Sequence, residues 1–155
     1  MMKRILLQIW RIFPAWLQDI LSRLIRPLFQ VFVAAVMFDE DKKILLVKST
    51  YKRFHLWGLP GGSLEYGEHP EKAVIREVLE ETGLKICIER FLLVNSWRPD
   101  RVGLYYLCRI VDGTFHPSEE VSEFAYFSVE DLPDIHPIDV GMIKRLHRMV
   151  EHELA

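Results

Sequence analysis

The chain has 155 residues, half of them apolar and 27% charged, with 20 Lys and Arg against 22 Asp and Glu for a formal net charge of -2. That length fits one domain with a real core, the composition resembles a folded globular protein more than a disordered segment, and the near balance of charge implies no general affinity for DNA or other polyanions. Cys87 and Cys108 lie in apolar, strand-like stretches and read as buried free thiols rather than a disulfide or metal pair, which fits a reducing, cytoplasmic compartment.

Residues 1–29 form an arm rich in Ile, Leu, Trp and Phe. Arg4, Arg11, Gln18, Asp19, Arg23 and Arg26 break every apolar run well short of the ~18 residues a spanning helix needs, and no small-x-small cleavage site follows Lys3 and Arg4. Neither a transmembrane helix nor a signal peptide is expected. Pro14 suits the first turn of an amphipathic helix carrying Leu17, Ile20, Leu21, Leu24, Ile25 and Leu28, with Pro27 intervening. Its apolar face has three ways to be hidden: packing on the domain or across a homodimer, weak contact of residues 3–28 with a membrane surface, or binding of a partner. The membrane reading, which would make the protein peripheral to the membrane, draws on Lys3, Arg4, Arg11, Arg23 and Arg26 against Asp19 alone.

Residues 30–155 read as the domain proper. A β-rich run over 31–38, the turn Asp39-Glu40-Asp41 and a second run over 44–47 predict a hairpin, and 56–62 a strand and turn. Pro70 to Thr82 predicts a helix opened by proline, with Glu71 in its first turn and Gly83 just past its end. Strand-like runs follow at 85–97, 102–111 and 124–127. A closing amphipathic helix is predicted over 141–153 from Met142, Ile143, Leu146, Met149 and Val150. This order gives an α/β fold, mixed sheets flanked by helices.

The chemistry is concentrated in the helix over 70–82. Wound at about 100° per residue, it brings Glu77, Glu80 and Glu81 together, with Ile75, Val78 and Leu79 expected on the opposite, buried face. Carboxylates ~5 Å apart repel by roughly 3 kcal/mol at an effective dielectric near 20, so a positive charge belongs among them. A hard divalent cation such as Mg²⁺ takes a few carboxylates and shares its other positions with water and phosphate. The alternative is an acidic face that is merely solvated. The six scattered histidines have no zinc-like spacing.

Gly62, Glu68, Arg76, Glu77, Val78, Glu80, Glu81, Gly83 and Leu84 together match the pattern Gly-x5-Glu-x7-Arg-Glu-U-x-Glu-Glu-x-Gly-U, where U is a bulky aliphatic residue. A chance match to its seven fixed residues is on the order of one in a million. On these residues the chain resembles the Nudix hydrolases, MutT-like and ADP-ribose pyrophosphatase-like, and Leu59-Pro60-Gly61-Gly62 and Glu130-Asp131-Leu132-Pro133 look like common flanks in that family. The resemblance implies an α/β/α sandwich around a mixed sheet, with the N-terminal arm outside it. It implies that Glu77, Glu80, Glu81 and the Gly61 carbonyl bind Mg²⁺ or Mn²⁺, that Arg76 orients the acidic cluster, and that Gly62 and Glu68 support it. Glu77 and Glu120 are alternative catalytic bases. The implied reaction is metal-dependent cleavage of the pyrophosphate in a nucleoside diphosphate linked to another moiety, of the ADP-ribose, nucleotide sugar or (d)NTP class. The alternative is a catalytically silent Nudix-fold module that binds a nucleotide or RNA.

Lys48, Arg53 and Arg101 are candidates for the substrate phosphates, and Trp57 could stack on a base or pack in the core. Pro99 resembles a proline noted in ADP-ribose pyrophosphatases, yet Pro99-Asp100-Arg101 also resembles a turn in MutT-like triphosphate hydrolases, so it does not discriminate between them.

Overall fold

The computed structural model describes residues 10–25 and 28–154. Lys3, Arg4 and Arg26 of the arm, and the side chain of Arg23, lie outside the described residues.

Helix α1 spans Ala15–Ile25. The domain follows as strands β1 (Gln30–Val36), β2 (Ile44–Ser49), β3 (Trp57–Gly58) and β4 (Gly61–Ser63), helix α2 (Pro70–Thr82), strands β5 (Lys85–Arg98), β6 (Arg101–Asp112) and β7 (Val121–Phe127), and helix α3 (Pro137–Leu154). One sheet has the order β4-β1-β6-β5 and is mixed, because β1 runs parallel to β6 while the other pairs are antiparallel. The second, β3-β2-β7, is antiparallel. On one side Ala73, Val74 and Val78 of α2 pack with Val33, Ala35, Met37, Leu45 and Val47. On the other, Met142, Ile143 and Leu146 of α3 pack with Val36, Ile44 and Leu46. Neighbouring residues of β1 and β2 thus feed opposite cores, and the result is an α/β/α sandwich.

That double burial also corrects the expected hairpin. The turn forms, with the Asp39 N–H donating to Lys43 O at 3.0 Å, the Leu45 N–H to Met37 O at 2.9 Å, and a single bridge between Phe38 and Ile44. Beyond it the strands part. A strand buried on both faces needs neighbours within its own sheet, and each of the two becomes a central strand of a different one.

Helix α2 has the expected bounds, with Pro70 at its start and Gly83 closing it at φ 74, its N–H on Leu79 O. Its buried face differs from expectation. Ala73, Val74, Val78 and Thr82 are buried, whereas Ile75 and Leu79 are exposed. On the helical wheel Glu77 and Glu81 project between Ala73 and Val74, so two of the three carboxylates stand in the covered stripe. Helix α3 starts at Pro137 rather than at Gly141, its first turn formed by the Asp139 and Val140 N–H groups on His136 O. Cys108 is buried and Cys87 half-buried, both free.

Leu146 is completely buried between α3 and the sheets. Leu146→Ala is expected to destabilise the domain by roughly 2–5 kcal/mol, read as a lower denaturation midpoint in urea with an unchanged slope.

Candidate active site

The site is organised by Arg76. Its Nε and Nη2 donate to the two carboxylate oxygens of Glu68 at 2.9 and 3.0 Å, and Nη1 donates to Glu77 Oε1 and Glu80 Oε2, each at 3.0 Å. Nη2 also reaches the Ser63 carbonyl at 3.3 Å. The planar guanidinium can hold all these acceptors at once because its donors lie in a fixed fork. One side chain therefore ties α2 to β4 and to the loop between them. The Arg76 hydrogen bonds hold the Glu68 carboxyl below its usual range, while burial pushes Glu77 up despite the neighbouring guanidinium.

Glu81 lies deeper and is not reached by Arg76. Its Oε2 accepts the Gly61 N–H at 2.8 Å. Burial raises its pKa to about 8, opposed by the Gly61 N–H and by Lys52 and reinforced by the negative charges of Glu77 and Glu120. Two glycines make this approach feasible. Gly61 sits at φ 140, where a Cβ would run into the backbone of Val33 and Ala34, and a Cβ on Gly62 would overlap the Glu77 carboxylate. The backbone of β4 can lie against these carboxylates only without side chains.

Glu120 completes the group from the opposite direction, in the loop leading into β7. The Thr50 N–H donates to its carbonyl at 2.9 Å, which ties that loop to the end of β2. A small cavity of about 60 Å³ is lined by Glu81, Glu120, Gly61, Lys52, Ser49 and Tyr51 among others. A second, of about 150 Å³, is lined by Phe32, Lys52, Arg101, Tyr105, Asp139 and Met142 among others. The two share Lys52, Gly58, Leu59 and Gly61, so they meet along the β3–β4 turn. Among the described residues, the buried side-chain polar atoms without a hydrogen-bond partner are Ser49 Oγ and Arg101 Nε, one in the wall of each cavity. Each cavity is thus lined by a residue with one buried polar atom left unsatisfied.

Of the residues singled out from sequence, Glu68, Arg76, Glu77 and Glu80 come together around one guanidinium, and Gly61, Glu81 and Glu120 around the small cavity. Arg101 lines the larger cavity, its guanidinium 5.2 Å from the centre of the Phe32 ring. Lys48, Arg53 and Trp57 line neither cavity. Lys48 Nζ is held by Glu123 at 2.7 Å, Trp57 packs edge-on to Phe127 at 4.9 Å in the α3 core, and Arg53 is exposed in its loop. Sequence reasoning passed over Lys52, Tyr105 and Asp139. Lys52 stands beside the chosen Arg53 in an irregular loop where no periodicity ranks one over the other, and Asp139 belongs to the turn of α3 that the reading omitted.

The model of the NUDIX domain matches residues 28–146. The chain belongs to the Nudix family. This Nudix chain is 33% identical over 106 residues to an ADP-ribose pyrophosphatase of Methanocaldococcus jannaschii, covering 64% of this chain and 62% of that protein. It is 34% identical over 120 residues to the NAD-capped RNA hydrolase NudC of Vibrio atlanticus, covering 76% of this chain but 43% of the relative. The chain thus spans less than two thirds of the length of these two curated relatives. Among solved structures, an ADP-ribose pyrophosphatase from Streptococcus suis superposes with a TM-score of 0.68 at 29% identity, covering 81% of this chain and 92% of that one.

Nudix hydrolases generally require a divalent metal, and the donors here fit one. They are carboxylate oxygens, the hard ligands such ions prefer, crowded enough to repel one another, and Gly62 leaves a cradle against Glu77 that any side chain would fill. Among the described residues no three His, Cys, Asp or Glu side chains form a ready-made ligand set; Arg76 holds Glu77 and Glu80, and the Gly61 N–H holds Glu81.

The raised Glu81 pKa makes the metal-free domain sensitive to pH with a definite sign. Below about 4.5 the carboxyl is protonated in both folded and unfolded chains. Between there and about 8 only the folded chain keeps the proton, so stability falls as pH rises through that window. Melting in EDTA from pH 5 to 8.5 is expected to show a declining Tm for the unaltered protein and a flatter profile for Glu81→Gln. Identical profiles would contradict the burial of this carboxyl. Adding Mg²⁺ or Mn²⁺ at pH 8 should raise Tm in the unaltered protein and much less in the variant.

Proposed function

We propose that this chain is a Mg²⁺- or Mn²⁺-dependent pyrophosphohydrolase acting on a nucleoside diphosphate linked to another moiety, of the ADP-ribose, nucleotide sugar or (d)NTP class. The observation that carries this reading is the junction of two cavities at Gly58–Gly61, one walled by carboxylates and the other by aromatic, apolar and cationic side chains. A pyrophosphate at the junction would have Lys52 beside it, with the larger cavity holding the attached moiety against Phe32 and Tyr105. The names of the relatives from M. jannaschii and S. suis support a pyrophosphatase. The two free thiols suit a reducing, cytoplasmic setting.

Glu77, Glu80, Glu81 and the Gly61 carbonyl are the proposed metal donors. The bound ion would neutralise phosphate charge and ease deprotonation of water. Arg76 keeps Glu77 and Glu80 aligned, and Glu68 in turn fixes Arg76. Glu120 is the preferred base: it lines the small cavity and its carboxylate is not held by Arg76, whereas Glu77 Oε1 is already an acceptor for that guanidinium. A water attacks one phosphorus, its proton passes to Glu120, and the bond from that phosphorus to the bridging oxygen breaks. The products are two phosphorylated fragments. Arg101 and Lys52 hold the substrate from the other side, and Asp139 stands where it can accept from a donor on the attached moiety.

The test is turnover of a panel of ADP-ribose, nucleotide sugars and normal and oxidised (d)NTPs with Mg²⁺ or Mn²⁺. Metal-dependent cleavage of at least one compound is expected, abolished in Glu81→Gln and lowered ~10²–10⁴-fold in Glu120→Gln. Arg76→Lys, which loses the bidentate grip on Glu68, is expected to lower it by ~10–100-fold. Tight metal-independent binding of one compound without turnover would overturn the enzyme reading in favour of a binding module.

A further inference from the structure

Helix α1 begins from a turn that closes on itself. The Gln18 side-chain amide donates to the carbonyls of Trp10 and Phe13 at 3.0 and 2.8 Å, and the Leu17 and Gln18 N–H groups both reach the Pro14 carbonyl. The segment thus supports its own first turn without help from the domain. Among the described residues, α1 packs extensively on no strand and on neither of the other helices. Leu17 and Leu21 are half-buried, but Trp16, Ile20 and Leu24, one turn apart along the same stripe, are 64%, 48% and 76% exposed. Ile12 before the helix and Leu28 after it extend the apolar surface at 80% and 81% exposed. A contiguous apolar stripe of this kind on an otherwise well-packed protein marks a contact surface.

Charge decides what covers it. Residues 1–29 carry Lys3, Arg4, Arg11, Arg23 and Arg26 against Asp19, leaving 15 of the 20 Lys and Arg and 21 of the 22 Asp and Glu to the rest of the chain. The segment is basic and the domain acidic. A segment that joins the apolar stripe of α1, with its tryptophan, to an excess of basic residues along the sequence 1–29 fits an anionic lipid surface, where the stripe would enter the acyl boundary and the cations meet the headgroups. No helix among the described residues is long and apolar enough to cross a membrane, so the contact would lie in the plane of the surface. The acidic domain is repelled by the same headgroups, which makes the segment the leading face of the molecule. We infer that the N-terminal helical segment, through Ile12, Trp16, Ile20 and Leu24 and its basic residues, docks this protein on an anionic membrane surface.

The test is co-sedimentation of the full chain with vesicles of phosphatidylcholine alone and of phosphatidylcholine mixed with phosphatidylserine. Partition is expected to be at least about tenfold stronger on the mixed vesicles and to weaken as salt is raised. Ile20→Glu combined with Leu24→Glu should abolish it. Both positions are exposed, so the double variant is expected to keep the melting temperature and the nucleotide turnover of the unaltered chain. Arg11→Glu, which leaves the stripe intact, should weaken binding to the mixed vesicles alone. Absent or equal binding to both vesicle types would overturn the proposal. So would a stable dimer, free of vesicles, that the double glutamate variant dissociates, because a second copy would then cover the stripe. These readouts are independent of turnover and stand apart from the proposed reaction.

Discussion

Two carboxylates occupy positions on α2 that an amphipathic helix would normally give to aliphatic residues, and the local structure answers that placement. Glu77 and Glu81 project into the covered stripe between Ala73 and Val74, where ionised groups lose hydration. Glu77 is compensated by the Arg76 guanidinium, which is itself fixed by both oxygens of Glu68. Glu81 has one backbone N–H, from Gly61, and the distant attraction of Lys52. The compensation is incomplete, since burial still drives both carboxyls upward. Carboxyls pushed upward in this way beside a cavity would gain from a bound cation, which favours their ionised form.

The glycines follow from the same demand. Only a backbone without side chains can come close enough for the Gly61 N–H to reach Glu81 while Gly62 lies against Glu77. The short strand β4 is held to β1 by the register Val33 with Gly62 and Ala34 with Gly61. The position of the site along the chain thus depends on a sheet edge, and the sheet edge depends on glycine.

Much of this was legible in the sequence, for reasons that differ by element. Helix α2 carries its own start and stop signals in Pro70 and Gly83, and its bounds came out as read. The family resemblance is carried by the spacing of Gly62, Glu68, Arg76, Glu77, Glu80, Glu81 and Gly83 together, since the acidic helix alone would also suit a solvated face. What could not be read was partnership over distance. Nothing local in Asp39-Glu40-Asp41 says that the strands on either side of the turn will join different sheets, because that depends on β6 and β7 arriving much later in the chain. The buried side of α2 is not legible in the sequence, because Ile75 and Leu79 have helical spacing while acidic residues at Glu77 and Glu81 argue against burial in the absence of a cation. Likewise Trp57 stands two residues before the Leu-Pro-Gly-Gly turn in sequence, yet on β3 it packs against Phe127, and Lys48 on β2 pairs with Glu123.

The division between the two cavities gives a physical reason why the family pattern defines a reaction without defining a substrate. Glu68 through Glu81, with Gly62, build the carboxylate side on β4 and α2. The walls of the larger cavity come from elsewhere: Phe32 from β1, Arg101 and Tyr105 from β6, Asp139 and Met142 from α3. The Gly58–Gly61 segment is the seam between them. Arg101 and Asp139 take no part in the hydrogen bonds of Arg76, so substitution there alters the shape and polarity of that pocket alone, whereas Phe32 pairs across the sheet with Ser63, whose carbonyl Arg76 also reaches. In the proposed reading, selection among nucleotides can therefore drift through β6 and α3 while the chemistry stays fixed on α2. Arg101 is the residue on which such drift would turn: it lines the larger cavity with its guanidinium over the Phe32 ring, so its replacement would change charge and aromatic stacking together.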